Sequence, residues 1–264
     1  MTRPDALGMS PEDFEALRRA KHTLENPGLV ARLSGLLGTP IERLMTNLPK
    51  RWSDRINKAV GRSLMAALKT ALTTIERRAK PKNNRVHRVL VGGTGAAGGF
   101  FGMPALTIEL PVSTALMLRS IADIARSEGE NLSTADAQLA CVEVFAFGGK
   151  SESDDPTESA YFAIRTALAA ALAQAPTHFG ARGAVKAGAP VLVRFIAQVS
   201  SRFGVVVTEK VAAQAVPIVG AAGGAAINLL FVKHFQDMAH GHFTVRRLER
   251  QYGPGVVRRA YEEL

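Results

Sequence analysis

The sequence predicts an all-α, multi-helix globular fold, and three observations predict it. Helix start and stop residues punctuate the chain repeatedly, apolar residues from Arg51 to Arg78 recur every three or four positions, and no regular alternation of strand and helix patterns occurs. With 264 residues, 47% of them hydrophobic, and a mean hydropathy of +0.06, the chain is too apolar for disorder and too polar on average for a polytopic membrane protein.

Taken in order, the first helix opens at Ser10, whose hydroxyl can cap it, with Pro11 at its first position and Asp13 near the positive end of the helix dipole. It runs to about Glu25 and stops at Asn26 and Pro27. Thr39 and Pro40 open a short helix that Pro49 closes. From Arg51 to Arg78 the residues Ile56, Val60, Leu64, Leu68, Leu72 and Ile75 form one apolar stripe and leave a basic opposite face. Ser133 with Asp136 begins the next helix, which passes Leu139, Val142 and Phe145 and ends at Gly148, a left-handed cap. Asp155, Pro156 and Glu158 start an alanine-rich helix over 160–175 that ends at Pro176. Pro190 to Phe203, stopped by Gly204, and Phe243 to Tyr252, stopped by Gly253, complete the plan. Val205 to Val207 reads as a short strand-like triplet.

Two long stretches carry no charge, Val89 to Ile108 and Val211 to Val232, and both are expected as central helices. Each holds the same five letters: Gly95-Ala96-Ala97-Gly98-Gly99 and Gly220-Ala221-Ala222-Gly223-Gly224. Glycines follow about 30 residues later, at Gly129 and Gly253, which points to an internal pseudo-repeat. Gly95, Gly98, Gly99 and Gly102 in the first copy, and Gly220, Gly223 and Gly224 in the second, are the expected helix-packing glycines, because spacing by four puts a smooth stripe on one face. Pro104, Pro111 and Pro217 argue against bilayer spanning, and Pro104 and Pro111 are expected to disrupt a helix.

Charge is concentrated in one place. The net charge is +10, and between Lys50 and Arg88 lie twelve Lys or Arg against only Asp54 and Glu76. Such a field attracts a polyanion to one face. An anionic membrane surface fits best, since the uncharged 89–108 stretch follows at once. Nucleic acid is disfavoured: Trp52 is the sole aromatic residue there, and no helix-turn-helix pattern is present. Arg51, Arg55, Lys58 and Arg62 would lie along the helix, with Arg77, Arg78, Lys80, Lys82, Arg85 and Arg88 making lipid contacts beyond it. The N-terminus has no apolar run behind its charges, and the lone Cys141 excludes an intrachain disulfide, so a cytoplasmic location is expected, peripheral on the inner face of the plasma membrane.

Several motifs lead nowhere. Gly93 to Gly98 spells G-x-G-x-x-G after a possible strand over 86–91, yet Leu110 to Ala122 lacks the acidic residue that a ribose hydroxyl needs. Gly149-Lys150-Ser151 lacks the earlier glycine of a phosphate loop and is followed by Glu152, Asp154 and Asp155. His234, Asp237, His240 and His242 fan around a helix instead of converging, and neither metal nor cofactor is called for. One sharper possibility remains. Glu109 and His234 stand at matching positions of the two copies, so a pseudo-twofold packing would let carboxylate and imidazole exchange a proton. A hydrolase-type enzyme would be built on Glu109, Asp123, His234 and Asp237.

The stretches Gly93 to Glu130, VFAFGG at Val144 to Gly149, and Ala215 to Glu249 together resemble the EcsC protein family. The resemblance covers roughly Leu48 to the C-terminus, making 1–48 an N-terminal helical extension and 49–264 an EcsC-like helical domain. It implies a bacterial accessory or regulatory protein, because the family's namesake is encoded beside the ATPase and membrane subunits of an ABC transporter. It supplies no catalytic residue. The function expected is therefore non-enzymatic attachment to an anionic membrane or to a transporter subunit. The hydrolase is the first alternative, and an integral protein with both glycine-rich segments inserted is the second.

Overall fold

The computed structural model describes residues 8–26, 28–38, 40–46, 50–74, 103–149, 159–173, 190–215 and 220–264. These residues form ten α-helices and a single 3-10 turn, with no strand among them: α1 Pro11–Glu25, α2 Leu29–Leu37, α3 Ile41–Thr46, α4 Lys50–Thr74, α5 Met103–Ser127, α6 Ala135–Glu143, the turn Val144–Ala146, α7 Ala160–Ala173, α8 Pro190–Gln214, α9 Gly220–Tyr252 and α10 Pro254–Glu263. The all-α reading is correct.

Local chemistry explains the boundaries. Ser10 accepts a hydrogen bond from the Asp13 amide at 3.1 Å, Pro11 fills the first position, and the amide of Asn26 returns to the His22 carbonyl. At α6 the cap falls one residue later than expected, on Thr134, whose hydroxyl accepts from the Ala137 amide at 3.3 Å. Ser133 turns back instead and donates to Asn131 Oδ1 at 2.7 Å. Helix α2, between two glycines, has no side-chain cap and went unread in the sequence.

Four long helices close a ring, with α4 packed on α5 and α8, and α9 packed on both α5 and α8. Along α4, Ile56, Val60, Leu64 and Leu68 are buried, as the 3.6-residue period requires. The 3-10 turn inserts Phe145 beside Phe203 and Phe235 at ring separations of 5.1 and 5.3 Å, and Phe231 extends the cluster at 5.2 Å from Phe235. Tilted and edge-on contacts of this kind are the favoured geometries. Helix α1 lies along α9, α10 flanks both, α7 covers α8, and α6 braces α4 and α5. Leu17, Leu24, Leu29, Leu33 and Ile41 share the same core, so the first three helices pack with the rest.

Three expectations need correction. Gly204 does not stop α8, which continues to Gln214 and takes Val205–Val207 into the helix; Phe203, Val206, Val207 and Val211 are buried at helical spacing, and a Cβ at Gly204 would lie 3.4 Å from Asn57 of α4. Packing on both sides overrides the intrinsic cost of a helical glycine, about 1 kcal/mol. Pro111 sits inside α5 without ending it, and Pro104 falls in the first turn, where no helical N–H is required. Finally, the stretch Val211 to Val232 is no single helix: its first residues end α8, and Gly220 begins α9, which runs unbroken through Phe243 to Tyr252. The first GAAGG and the proposed strand over 86–91 lie outside the described residues, and the second GAAGG forms the start of α9. Both α5 and α9 are followed by glycines in the left-handed region, Gly129 at φ +82° and Gly253 at φ +86°.

Candidate functional site

The apolar stripe of α4 fixes what its other face presents. Arg55, Lys58, Arg62 and Lys69 are all exposed, and at 100° per residue they fall within an arc of about 60° over about 21 Å of helix. By position Arg51 joins the same arc. None of the four exposed cations takes part in an ion pair among the described residues. Arginines elsewhere behave differently. Arg165 grips Glu249 through two bonds of 2.7 and 3.0 Å; Arg246 holds Glu130 at 2.8 Å and Asp136 at 2.6 Å; Arg247 holds Asp13 and Glu128, each at 3.1 Å; and Arg250 binds Glu130 as well. Arg77, Arg78, Lys80, Lys82, Arg85 and Arg88 lie outside the described residues.

The proposed catalytic carboxylates are engaged and separated. Glu109 Oε1 accepts a hydrogen bond from Lys210 Nζ at 2.6 Å, with the lysine wholly buried and its ammonium 4.8 Å from the Phe231 ring centroid. Burial holds the Lys210 pKa below its usual value, against the pull of Glu109. Asp123 pairs with Arg126 at 3.0 Å. It stands 14 residues beyond Glu109 on one helix, hence about 21 Å along its axis. Asp237 is held by Arg32 at 3.2 Å and Lys233 at 2.8 Å. Of the four candidates the structure brings together only His234 and Asp237, which line one cleft.

That cleft, about 550 Å³, opens between α1 and α9. Its α1 wall carries Arg19, His22, Thr23 and Asn26, and its α9 wall carries His234, His240, Thr244 and Arg247. The two helices meet closely beside it, where a Cβ on Gly241 would stand 2.8 Å from Leu24. His234 is 1% exposed and its Nε2 has no hydrogen-bond partner among the described residues. Burial, assisted by Arg32, pushes its pKa down to about 4, so the ring is neutral near pH 7. The Cε1–Nε2 edge abuts Gly148, where an added Cβ would fall 2.4 Å from both atoms; Gly148 also adopts φ +83°. Two stretches far apart in sequence, VFAFGG and the histidine-rich part of α9, thus meet at a position only glycine can occupy.

A second imidazole faces the interior. His242 is fully buried, and its Nδ1 shares a 2.9 Å hydrogen bond with Tyr161 Oη, while Nε2 stands 3.9 Å from Glu143 Oε2. Burial, with Arg165 and Arg246 nearby, holds the His242 pKa well below the ordinary value. Burial also lifts Glu143 to about 6, against the opposing pull of Arg165 and Arg246. The sequence reading missed Tyr161 and Glu143. They lie 81 and 99 positions from His242, and no spacing pattern links them. Cys141 is buried and its thiol pKa is pushed up by that burial, so it is a core residue and no nucleophile.

Among the described residues no three His, Cys, Asp or Glu side chains converge to hold a metal ion. One helix there, α8, has the length and apolar composition to cross a bilayer. It also buries Glu209 and Lys210, and it packs on α4, α7 and α9, as the core helix of a globular domain does. In comparison with known proteins, the sequence profile of the EcsC protein family matches residues 12–248. No curated protein and no solved structure matches the chain.

Proposed function

The chain belongs to the EcsC protein family, and from that premise we propose that it is a non-enzymatic accessory protein that docks on an anionic membrane surface through the outer face of α4, on the cytoplasmic side and beside a transporter. The observation that carries this reading is the row of four exposed cations without ion-pair partners among the described residues. Cations so aligned can meet a planar anionic surface together, and each contributes about 1 kcal/mol near such a surface. Four supply about 4 kcal/mol, close to a thousandfold in partitioning. The further cations over 77–88 would add to this.

Flotation with vesicles tests the reading. The protein is expected to float with phosphatidylglycerol-containing vesicles, to stay behind with phosphatidylcholine alone, and to lose binding in 0.5 M salt, roughly where screening shortens below about 5 Å. The exposed variant Arg55→Glu/Lys58→Glu/Arg62→Glu/Lys69→Glu should bind at least about 100-fold more weakly with its helical content intact. Equal recovery with neutral and anionic vesicles would sink the proposal.

A further inference from the structure

We propose that the cleft between α1 and α9 binds a small organic oxyanion, a phosphate ester or carboxylate, independently of the membrane contact through α4. Six of its side chains are guanidinium or imidazole groups: Arg19, Arg32, Arg247, His22, His234 and His240. Among its described lining residues only Glu128 and Asp237 are acids, and both are already committed, Glu128 to Arg247 at 3.1 Å and Asp237 to Arg32 and Lys233 at 3.2 and 2.8 Å. The arginines have carboxylates of their own, Arg19 with Glu15 at 3.5 Å, Arg32 with Asp237 and Arg247 with Asp13 and Glu128, but five N–H groups on each guanidinium exceed what these contacts use, so the wall still offers more donors than acceptors. A ligand that brings oxygen acceptors corrects this excess, and charge-assisted bonds to guanidinium are the strongest available for the purpose.

Shape agrees with chemistry. Ala16 and Ala20 leave the α1 side open, and a volume of about 550 Å³ lies within the usual range for small-molecule sites, about 300–1,000 Å³. His234 lies in the wall of this cleft, with its unpartnered Nε2 turned towards Gly148, so its ring reports on the cleft as part of the wall. His234 is neutral and lines the wall without charge; at the rim the exposed Arg19 supplies a charge-assisted contact and the exposed His240 a hydrogen bond.

The test uses the full chain with labelled histidine rings, followed by NMR. Titration with sn-glycerol 3-phosphate, inorganic phosphate and acetate should give saturable shifts of the His22, His234 and His240 rings, while His242, sealed in the core, stays still. Glycerol with sodium chloride at matched ionic strength should move none of them. Nanodiscs of phosphatidylglycerol against phosphatidylcholine separate a lipid headgroup from a soluble ligand: response to the anionic disc alone assigns the headgroup, and response to the free esters assigns a soluble molecule. The variant Arg19→Gln/His240→Gln, altered only at exposed positions, should bind at least tenfold more weakly. The proposal is overturned if no oxyanion or anionic disc gives saturable shifts, if salt with glycerol reproduces them, or if the variant binds like the parent. The α4 charge-reversal protein should retain the response, so failure of the membrane reading is seen separately.

Discussion

Replacing Glu109 by Gln removes the partner of an ammonium with no route to water. Lys210 is 0% exposed on its side chain and Glu109 6%, and the two atoms are 2.6 Å apart. Breaking such a pair from one side costs about 3–5 kcal/mol, because a buried charge is left uncompensated, whereas replacing both partners by groups of similar shape is close to neutral. With m of about 3 kcal/mol/M in urea, the single variant should move the unfolding midpoint down by more than about 1 M. Glu109→Gln/Lys210→Met should recover most of that loss, since methionine retains the volume packed on Phe231. The pH dependence has a definite sign. A lysine whose folded pKa lies below 10.5 is a destabilising group at lower pH, and the penalty disappears as pH rises through the folded pKa towards the unfolded one. Removing Glu109 removes the interaction that raises the Lys210 pKa, so the penalty in Glu109→Gln should shrink progressively between neutrality and pH 10. Urea titrations of both single variants and the double variant give the coupling energy directly. Losses that add, with coupling below about 0.5 kcal/mol, would refute the argument that the two charges depend on each other.

Acid should destabilise the fold through its neutral histidines. His234 has a folded pKa of about 4 against 6.5 in the unfolded chain, so the unfolded state takes up more protons between those values and about 3 kcal/mol is lost as pH falls across them. Glu143, raised to about 6, opposes this over pH 4.5–6, so the informative quantity is the difference between parent and His234→Asn, which should lose less stability from pH 6.5 to 4; parallel curves would contradict the assignment. Glycine substitutions separate backbone strain from collision. Gly148→Ala and Gly253→Ala share a positive φ, but only the first drives a Cβ into His234, so it should lower the melting temperature far more than the roughly 1 kcal/mol expected of the second. Equal losses would show that the imidazole yields freely.

Helix ends governed by residues within one turn were legible in the sequence, as Ser10 with Asp13, Asn26 and Gly253 illustrate, whereas the helix expected to run to Gly148 stops at Glu143 and gives way to the 3-10 turn. The basic and apolar faces of α4 were legible for the same reason, since a 3.6-residue period is a local property. Glycine and proline misled where packing decides. Gly204 and Pro111 are both breakers in isolation, yet the first lies where α8 meets α4 and the second sits within a helix braced by three neighbours. Chemistry assembled from distant elements was not legible. Lys210 takes up Glu109 from 101 residues away, and Tyr161 reaches His242 from 81, so equivalence between two GAAGG stretches suggested the wrong partner for the carboxylate.

The antiparallel seating of α1 on α9 bears on how this protein is cut and tagged. Leu17, Ala20 and Leu24 fill a trough against α9. Glu25 takes bonds from Ser159 and Tyr261, and Asp13 takes bonds from Arg247 and Tyr252. An expression boundary placed after residue 26 would strip a seam of oil-like surface, orphan the hydroxyls and take one of two carboxylates from Arg247 in one step. The leading helix is a keel, and a stable fragment has to start ahead of Ser10.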